Sequence, residues 1–402
     1  MTALHSTFET LATSKPRPLW LVLAPICVMV FMEFLAMGIP LSVLPVHVHG
    51  ALGFGTFVVG VAIGVQSWVT LATRHSAGTR SDRDGPRRAV LIGLILSTIA
   101  GGLYALSSLV VQPTASLAVL VLGRGLLGMG ESLVITGALA WGISLAGRER
   151  SGVVMAWVGI AMYAAMAIGA PLGTELAGSH GFVAMGIAAA MAPVFGIGAA
   201  LLARPVAPLG GDRLPFYRLA KLIWLPGAGL AASALGFGAI AAFSSLLFGE
   251  HGWAHAALAM TAFGAAFVLA RLLFGTFPDR FGGARVAVVS AAVAALGQLG
   301  LWLATSPEMA VAASALTGFG FSLVFPAFGV EAIRRVPPHN RGVALGAYTA
   351  SFDLAMGVGV PLLGVAVAAF GYRAAFGIAA VAGIGSLVIA GLLYARSSTR
   401  AR

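Results

Sequence analysis

Residues 78–88 read GTRSDRDGPRR and lie between two apolar stretches, each long enough to cross a bilayer. Within this run Gly78, Asp82, Arg83, Gly85, Arg87 and Arg88 stand at G-x-x-x-D-R-x-G-x-R-R. The pattern returns once. Gly275, Asp279, Arg280 and Gly282 repeat Gly78, Asp82, Arg83 and Gly85 at a constant offset, 275 − 78 = 197. Arg74, just before the first copy, has Arg271 as its partner at the same offset. An offset of about half the chain makes the protein two homologous halves.

A second repeat supports the first. Gly169-Ala170-Pro171-Leu172 matches Gly359-Val360-Pro361-Leu362 at 359 − 169 = 190, and the same offset relates Gly152 to Gly342 and Gly181 to Gly371. Working outward from these anchors, twelve apolar spans emerge: about 19–42, 54–74, 88–110, 115–146, 151–174, 182–203, 222–248, 256–277, 285–304, 308–335, 342–369 and 372–395. Spans 2 and 8, and spans 5 and 11, are counterparts. The stretch 204–221, RPVAPLGGDRLPFYRLAK, is the longest polar-leaning break and falls at the midpoint. The expected fold is all-α: a polytopic membrane protein of twelve helices in two pseudo-symmetric six-helix bundles. An N-terminal bundle, 1–203, is joined by a cytoplasmic linker, 204–221, to a C-terminal bundle, 222–402.

Composition requires the membrane. The 402 residues are 59% hydrophobic and 9% charged, too few charges to cover a soluble protein of this size. The net charge of +11 does not point to nucleic acid, because the Lys and Arg residues cluster in alternate loops and at the tails. The loops near His47, Gln112, His180, His251 and Pro307 carry none, and Arg373 is the one exception among loop positions. This alternation places both termini in the cytoplasm. Residues 1–18 are polar, and the run after them is too long for a signal peptide, so a retained first helix is expected. The one cysteine, Cys27, leaves no internal disulfide or cysteine metal cluster. His47 and His49 lack a third ligand and are expected to face solvent.

Deep within the spans, away from their ends, stand Glu33, Arg124, Glu131 and Asp353. Such groups are costly in hydrocarbon and face an aqueous cavity or a partner, so each is a candidate proton or substrate residue. Glu33 lies thirteen residues past Trp20, about 20 Å from the inner face at ~1.5 Å per residue, and Arg124 lies about 14 Å from the outer end of span 4. Similar depth predicts a Glu33–Arg124 pair, with the glutamate as proton carrier and the always-charged arginine setting its affinity. Glu131, two turns from Arg124, is either a second proton site or a counter-charge. Asp353 faces the level of Tyr163 in span 5, and either proton or substrate binding is open to it. Phe319, Phe321, Phe325, Phe328 and Ser322 offer an apolar wall on span 10.

The doubled loop motif resembles the signature between helices 2 and 3 of the major facilitator superfamily, and the resemblance covers the whole chain. It implies that Asp82 meets the start of span 11 near Gly342 and Asp279 the start of span 5 near Gly152. There each carboxylate faces the positive end of a helix dipole and latches the cytoplasmic side. Glu149 and Glu331 are expected to join that latch. Arg124 in the segment VLGRGLLG resembles the helix-4 arginine motif of proton-coupled members, with Val121 in place of the leading Leu. Gly159, Gly169, Pro171 and Gly173 resemble the antiporter motif of exporters, although Ala170-Pro171 stands for Gly-Pro and Thr174-Glu175 for the closing Gly-Gly. The segments FDLAMGVGVPLLG and SGVVMAWVGIAMYAAMAIGAPLG are similar to the YhhS/YfcJ-type, sugar-efflux-like branch. The resemblance implies a monomeric secondary transporter, with protons as coupling ion, a small-molecule substrate and no cofactor. Export is the first expectation and uptake by symport or uniport the second; a membrane sensor is a distant third. No Ser/His/Asp set, HExxH or Cys pair supports an enzyme.

Overall fold

An apolar run in hydrocarbon has no water to satisfy its N–H and C=O groups, so each span must form helix. The computed structural model describes residues 18–147, 150–207, 216–336 and 341–399, with only the backbone described for 216–220, 341–343, 345 and 397–399. Among the described residues there is no strand. The helices are α1 Leu19–Leu41, α2 Thr56–Asp84, α3 Pro86–Ser107 and α4 Pro113–Ala146. Ser151–Leu202 holds two helices, α5 and α6, joined at Gly181. The second half has α7 Phe216–Glu250, α8 Ala257–Phe274, α9 Gly283–Trp302 and α10 Pro307–Ile333. α11 joins Arg341–Leu354, a π-helical turn Ala355–Gly359 and Val360–Phe370, and α12 is Arg373–Thr399. Among the described residues eleven helices are long and apolar enough to span, and one of them, Ser151–Leu202, is two spans joined at Gly181, giving the expected twelve crossings.

Punctuation follows the repeats. Gly85 and Gly282, 197 apart, turn the chain with φ of 88° and 90°; Gly181 and Gly371, 190 apart, do so with 82° and 81°. These left-handed conformations strain any residue with a Cβ, so the sharp reversals fall on glycine in both halves. Packing repeats too: α3 lies on α4 and α6 as α9 lies on α10 and α12, and α2 lies on α4 as α8 lies on α10.

Three boundaries differ from expectation. The signature stretch is not a loop in the first half: α2 continues through Gly78 to Asp84, because no strong breaker precedes Gly85-Pro86. The second copy does break, after Phe274, and forms the short helix Phe277–Phe281. His47 and His49 lie on a π-helical turn, His47–Ala51, at the far end of α1, rather than in an open loop. There the His47 ring stacks on Phe182 at 3.8 Å, and His49 Nδ1 is 2.8 Å from the Phe54 carbonyl. Neither ring joins a metal-type cluster among the described residues.

Candidate functional site

The site is built outward from one face of α2. Gln66, Thr70 and Arg74 are spaced by four residues and share that face. Gln66 Nε2 donates to Glu131 Oε2 of α4 at 2.7 Å, and Thr70 Oγ1 reaches the same oxygen at 3.3 Å. One turn on, Arg74 crosses to the other bundle and pairs with Asp353 of α11, Nε at 2.9 Å and Nη2 at 2.5 Å from Oδ2. Glu131 lies within electrostatic reach of both members of that pair. A single helix face therefore carries an acid of its own bundle and an acid of the opposite one.

Glu33 of α1 is 1% exposed and accepts from Ser97 Oγ of α3 at 2.6 Å, while its Oε2 has no hydrogen-bond partner among the described residues. Its charged neighbour is Glu131. Gly130 makes the room: a Cβ there would stand 3.4 Å from Glu33 Oε1 and far closer to Ser97 Oγ. Arg124, also 1% exposed, donates through Nε to the Ala62 carbonyl at 3.1 Å and through Nη2 to the Ile63 carbonyl at 3.2 Å.

The second interface between bundles, α5 on α8, repeats the first with different chemistry. Arg271 stands where Arg74 stands, and Tyr163 stands where Asp353 stands, at the two repeat offsets. Arg271 Nη2 donates to the Ser322 carbonyl at 2.6 Å, and its guanidinium lies 5.2 Å from the centre of the Phe267 ring. Tyr163 stacks on Phe267 at 3.7 Å, and Phe237, Phe263, Phe321 and Phe352 complete the cluster. The first-half site is polar and acidic; the second-half site is aromatic and cationic.

Both interfaces are tight away from the basic end of the molecule. Thr56 Oγ1 donates to the Gly364 carbonyl at 2.8 Å, and a Cβ on Gly60 would collide with the backbone of Pro361. At matching repeat positions Gly64 abuts the Gly357 carbonyl, while Thr261 Oγ1 donates to the Ala167 carbonyl at 3.0 Å. Toward the basic end the bundles separate. Gly159 lies one turn below Tyr163 and Gly346 two turns below Asp353, on the same helix faces, and both meet nothing within 4 Å. The structure is closed at the far end and open toward the signature motifs.

A doubled motif, twelve crossings and a polar site between two bundles agree with the comparisons to known proteins. The Major Facilitator Superfamily profile matches residues 26–248 and 226–402. The chain belongs to that superfamily. An uncharacterized MFS-type transporter of Pseudomonas aeruginosa is 44% identical over 369 residues, 91% of this chain and 92% of the relative. One from Burkholderia mallei is 43% identical over 371 residues, 92% and 91% of the two chains. In fold the chain resembles the crystal structure of the nucleoside transporter NupG, with TM-score 0.73 and 15% identity, covering 93% of this chain and 99% of that one.

Several expected contacts of this transporter are not formed. Arg124 does not pair with Glu33: among the described residues it has no ion-pair partner, because its side chain turns onto α2 carbonyls while Glu33 turns to Ser97. Asp279 is exposed, and Gly152, its expected target, meets nothing within 4 Å, since the bundles are apart at that end. Asp82 is half-buried; the surroundings of Gly342, and Glu149 altogether, lie outside the described residues. Glu331 serves its own bundle, accepting from the Ala284 N–H at the start of α9 at 3.2 Å and from Arg334 at 3.4 Å. Gly169 and Gly173 face the backbone of Gly38 and Ile39, so the antiporter-like segment around Pro171 lets α1 and α5 touch closely. Of the span-10 wall, Phe321 joins the interface cluster and Ser322 lends its carbonyl to Arg271; Phe328 packs on Gly229, Phe325 on Tyr348, and Phe319 on Phe274.

Glu33, Glu131 and Asp353 stand out in the sequence as charges in apolar spans, whereas Arg74, Gln66, Thr70 and Ser97, which the structure places beside them, do not. Arg74 carried a signal, its repeat partner Arg271 at the 197 offset, and that signal served only to align the halves. The neutral partners carry none, since Gln, Thr and Ser are ordinary in membrane helices.

Proposed function

We propose that the chain is a monomeric, proton-coupled exporter of small molecules in the bacterial inner membrane, with both termini in the cytoplasm and the basic end facing it. The same proposal divides the chain at the linker 204–221 and places it in the YhhS/YfcJ-type branch. The observation that carries proton coupling is the α2 face on which Glu131 and Asp353 flank Arg74. With a proton on Glu131, Arg74 is free to hold Asp353 across the interface. When Glu131 loses that proton, two acids compete for one guanidinium, and the α2–α11 contact weakens. Glu33 extends the path: a buried carboxyl with one neutral donor and no cation is most cheaply neutralised by a proton. Export, rather than uptake, rests on the likeness of Gly169, Pro171 and Gly173 to the exporter motif. The signature residues Gly78, Asp82, Arg83, Gly85, Arg87 and Arg88, with Gly275, Asp279, Arg280 and Gly282, form the gate that meets when the far end opens. NupG's nucleosides are not carried over, since 15% identity is likeness of fold alone.

The test is transport by the full chain in proteoliposomes with an imposed pH gradient, reading internal pH against a compound library. Substrate-dependent proton movement in the wild type, absent in Glu131→Gln, is expected. A substrate that crosses at full rate without moving protons would remove the coupling, and the sidedness of active transport decides direction.

A further inference from the structure

We propose that an apolar groove at the basic end of the second bundle holds an acyl chain of an anionic phospholipid, with the lipid phosphate on Arg280 and Arg285. The site lies outside the space between the bundles and needs only the membrane setting.

The groove, about 350 Å³, runs between the end of α8, the short helix Phe277–Phe281, α9 and α10. That is room enough for a small apolar ligand, whose sites run ~300–1,000 Å³. Phe274, Phe277, Phe281 and Phe319 line it edge to face, with ring centres 4.9 to 5.8 Å apart, and Val289 and Val293 form the α9 wall. It opens outward. Phe281 is 47% exposed and Val289 65%. Val289, Leu296 and Leu303 recur every seven residues along α9 and are all more than half exposed, so hydrocarbon covers this face.

The groove arises where the two halves diverge. Phe274, Phe277 and Phe281 stand where the first half has Ala77, Arg80 and Asp84, at the 197 offset. In that half α2 runs unbroken, and the counterpart groove is lined by Thr73, Thr79, Arg83 and the Arg80–Asp84 ion pair, a surface for water. In the second half the chain breaks after Phe274, and the short helix brings Phe277 and Phe281, one turn apart, onto the groove.

Charge selects the occupant. Arg285 lines the groove; its Nε donates to Tyr394 Oη at 3.3 Å and its guanidinium lies 5.5 Å from that ring centre, which fixes it at the mouth. Arg280 shares a helix face with Phe277 and Phe281 and lies 5.5 Å from the Phe281 ring centre. Both arginines are exposed, and neither has an ion-pair partner among the described residues. Asp279, the acid beside them, falls on the opposite side of the short helix. A guanidinium fork fits phosphate oxygens, and cations at the membrane surface draw anionic lipid. A zwitterionic lipid would bring an ammonium to the same two cations.

The experiment titrates the purified full chain in detergent with dioleoyl phosphatidylglycerol or dioleoyl phosphatidylcholine and counts retained lipid by native mass spectrometry. Wild type should retain one phosphatidylglycerol with about tenfold preference or more over phosphatidylcholine. Arg285→Gln should lose most of that preference, and Arg285→Lys should keep much of it. Arg88→Gln removes the same charge at the matching place in the first half and should leave the preference intact. Val289→Trp fills the groove from an already exposed position and should lose the retained phosphatidylglycerol while eluting as wild type does. Equal retention of the two lipids by wild type overturns the proposal. So does wild-type retention by Val289→Trp, which puts the lipid elsewhere, or an equal loss in Arg88→Gln and Arg285→Gln, which makes the preference one of net charge alone.

Discussion

Arg74 and Asp353 are 279 positions apart in sequence and form an ion pair between the bundles. Removing one partner strands the other: Asp353→Asn leaves Arg74 uncompensated in a mostly dry setting. Breaking a buried pair costs about 3–5 kcal/mol, but Arg74 keeps 15% exposure, so a loss below ~3 kcal/mol is expected. The double variant Arg74→Gln, Asp353→Asn should recover most of it, read as thermal stability in detergent. If the double variant is as unstable as the sum of the singles, the two residues do not act as a pair. Glu33 separates by function. Glu33→Gln keeps the hydrogen bond from Ser97 and removes the titrating oxygen, so uphill transport should vanish while substrate counterflow persists. Wild-type accumulation by Glu33→Gln shows that Glu33 does not carry the proton. Arg124→Lys should retain part of the activity and Arg124→Ala little, because Lys keeps a cationic donor toward the α2 carbonyls of Ala62 and Ile63 and Ala does not.

Helices meet across the bundles where glycine removes the side chain. Gly264 of α8 allows the backbone of Tyr163 and Ala167 to approach, and a Cβ there would lie 2.7 Å from both the Tyr163 carbonyl and the Ala167 Cβ. Gly264→Leu therefore forces α5 from α8 in the half that is closed here. Overpacking costs about 1–3 kcal/mol, but in this place it is a penalty on one conformation more than on the fold. Normal membrane insertion with transport reduced at least about fivefold is expected. Unaltered transport by Gly264→Leu would mean that closure at the far end does not depend on this contact. The π-helical turn Ala355–Gly359 in α11 has a local cause: Pro361, which lacks an N–H, removes one helical hydrogen bond and loosens the turn before it. It follows Asp353 directly, so the acid that holds Arg74 sits at the start of the least regular part of its helix.

At the scale of the molecule the two bundles are closed at one end and parted at the other. In the alternating-access cycle proposed above, the reverse state closes the signature motifs and holds Asp82 and Asp279 against helix starts in the opposite bundle, each contact expected to be worth ~0.3–1 kcal/mol. Spin labels placed at Arg80 and Arg280, both exposed at the basic end, should report a distance that shortens when substrate and a pH gradient are supplied. In Asp82→Asn with Asp279→Asn the short-distance population should fall. An unchanged distance distribution in that double variant would leave the motifs as topology signals only.

The sequence by itself determined where the chain must cross the bilayer, that its halves repeat, and which charges lie in hydrocarbon, because these follow from local polarity and from offsets counted along the chain. Gly85 with Gly282, and Gly181 with Gly371, stand out in the sequence as repeats, and their matching positive φ belongs to the fold. Partner choice belonged to the tertiary structure. Glu33 and Arg124 share a depth, yet depth leaves the rotation of each helix about its axis free, and rotation turned one to Ser97 and the other to α2. Arg74 meets Asp353, and Arg271 meets none of the acids described, because the packing of α2 on α11 and of α5 on α8 brings together residues that no local pattern relates. The conformational state was decided there too, since whether Asp279 touches the start of α5 depends on the angle between two rigid bundles.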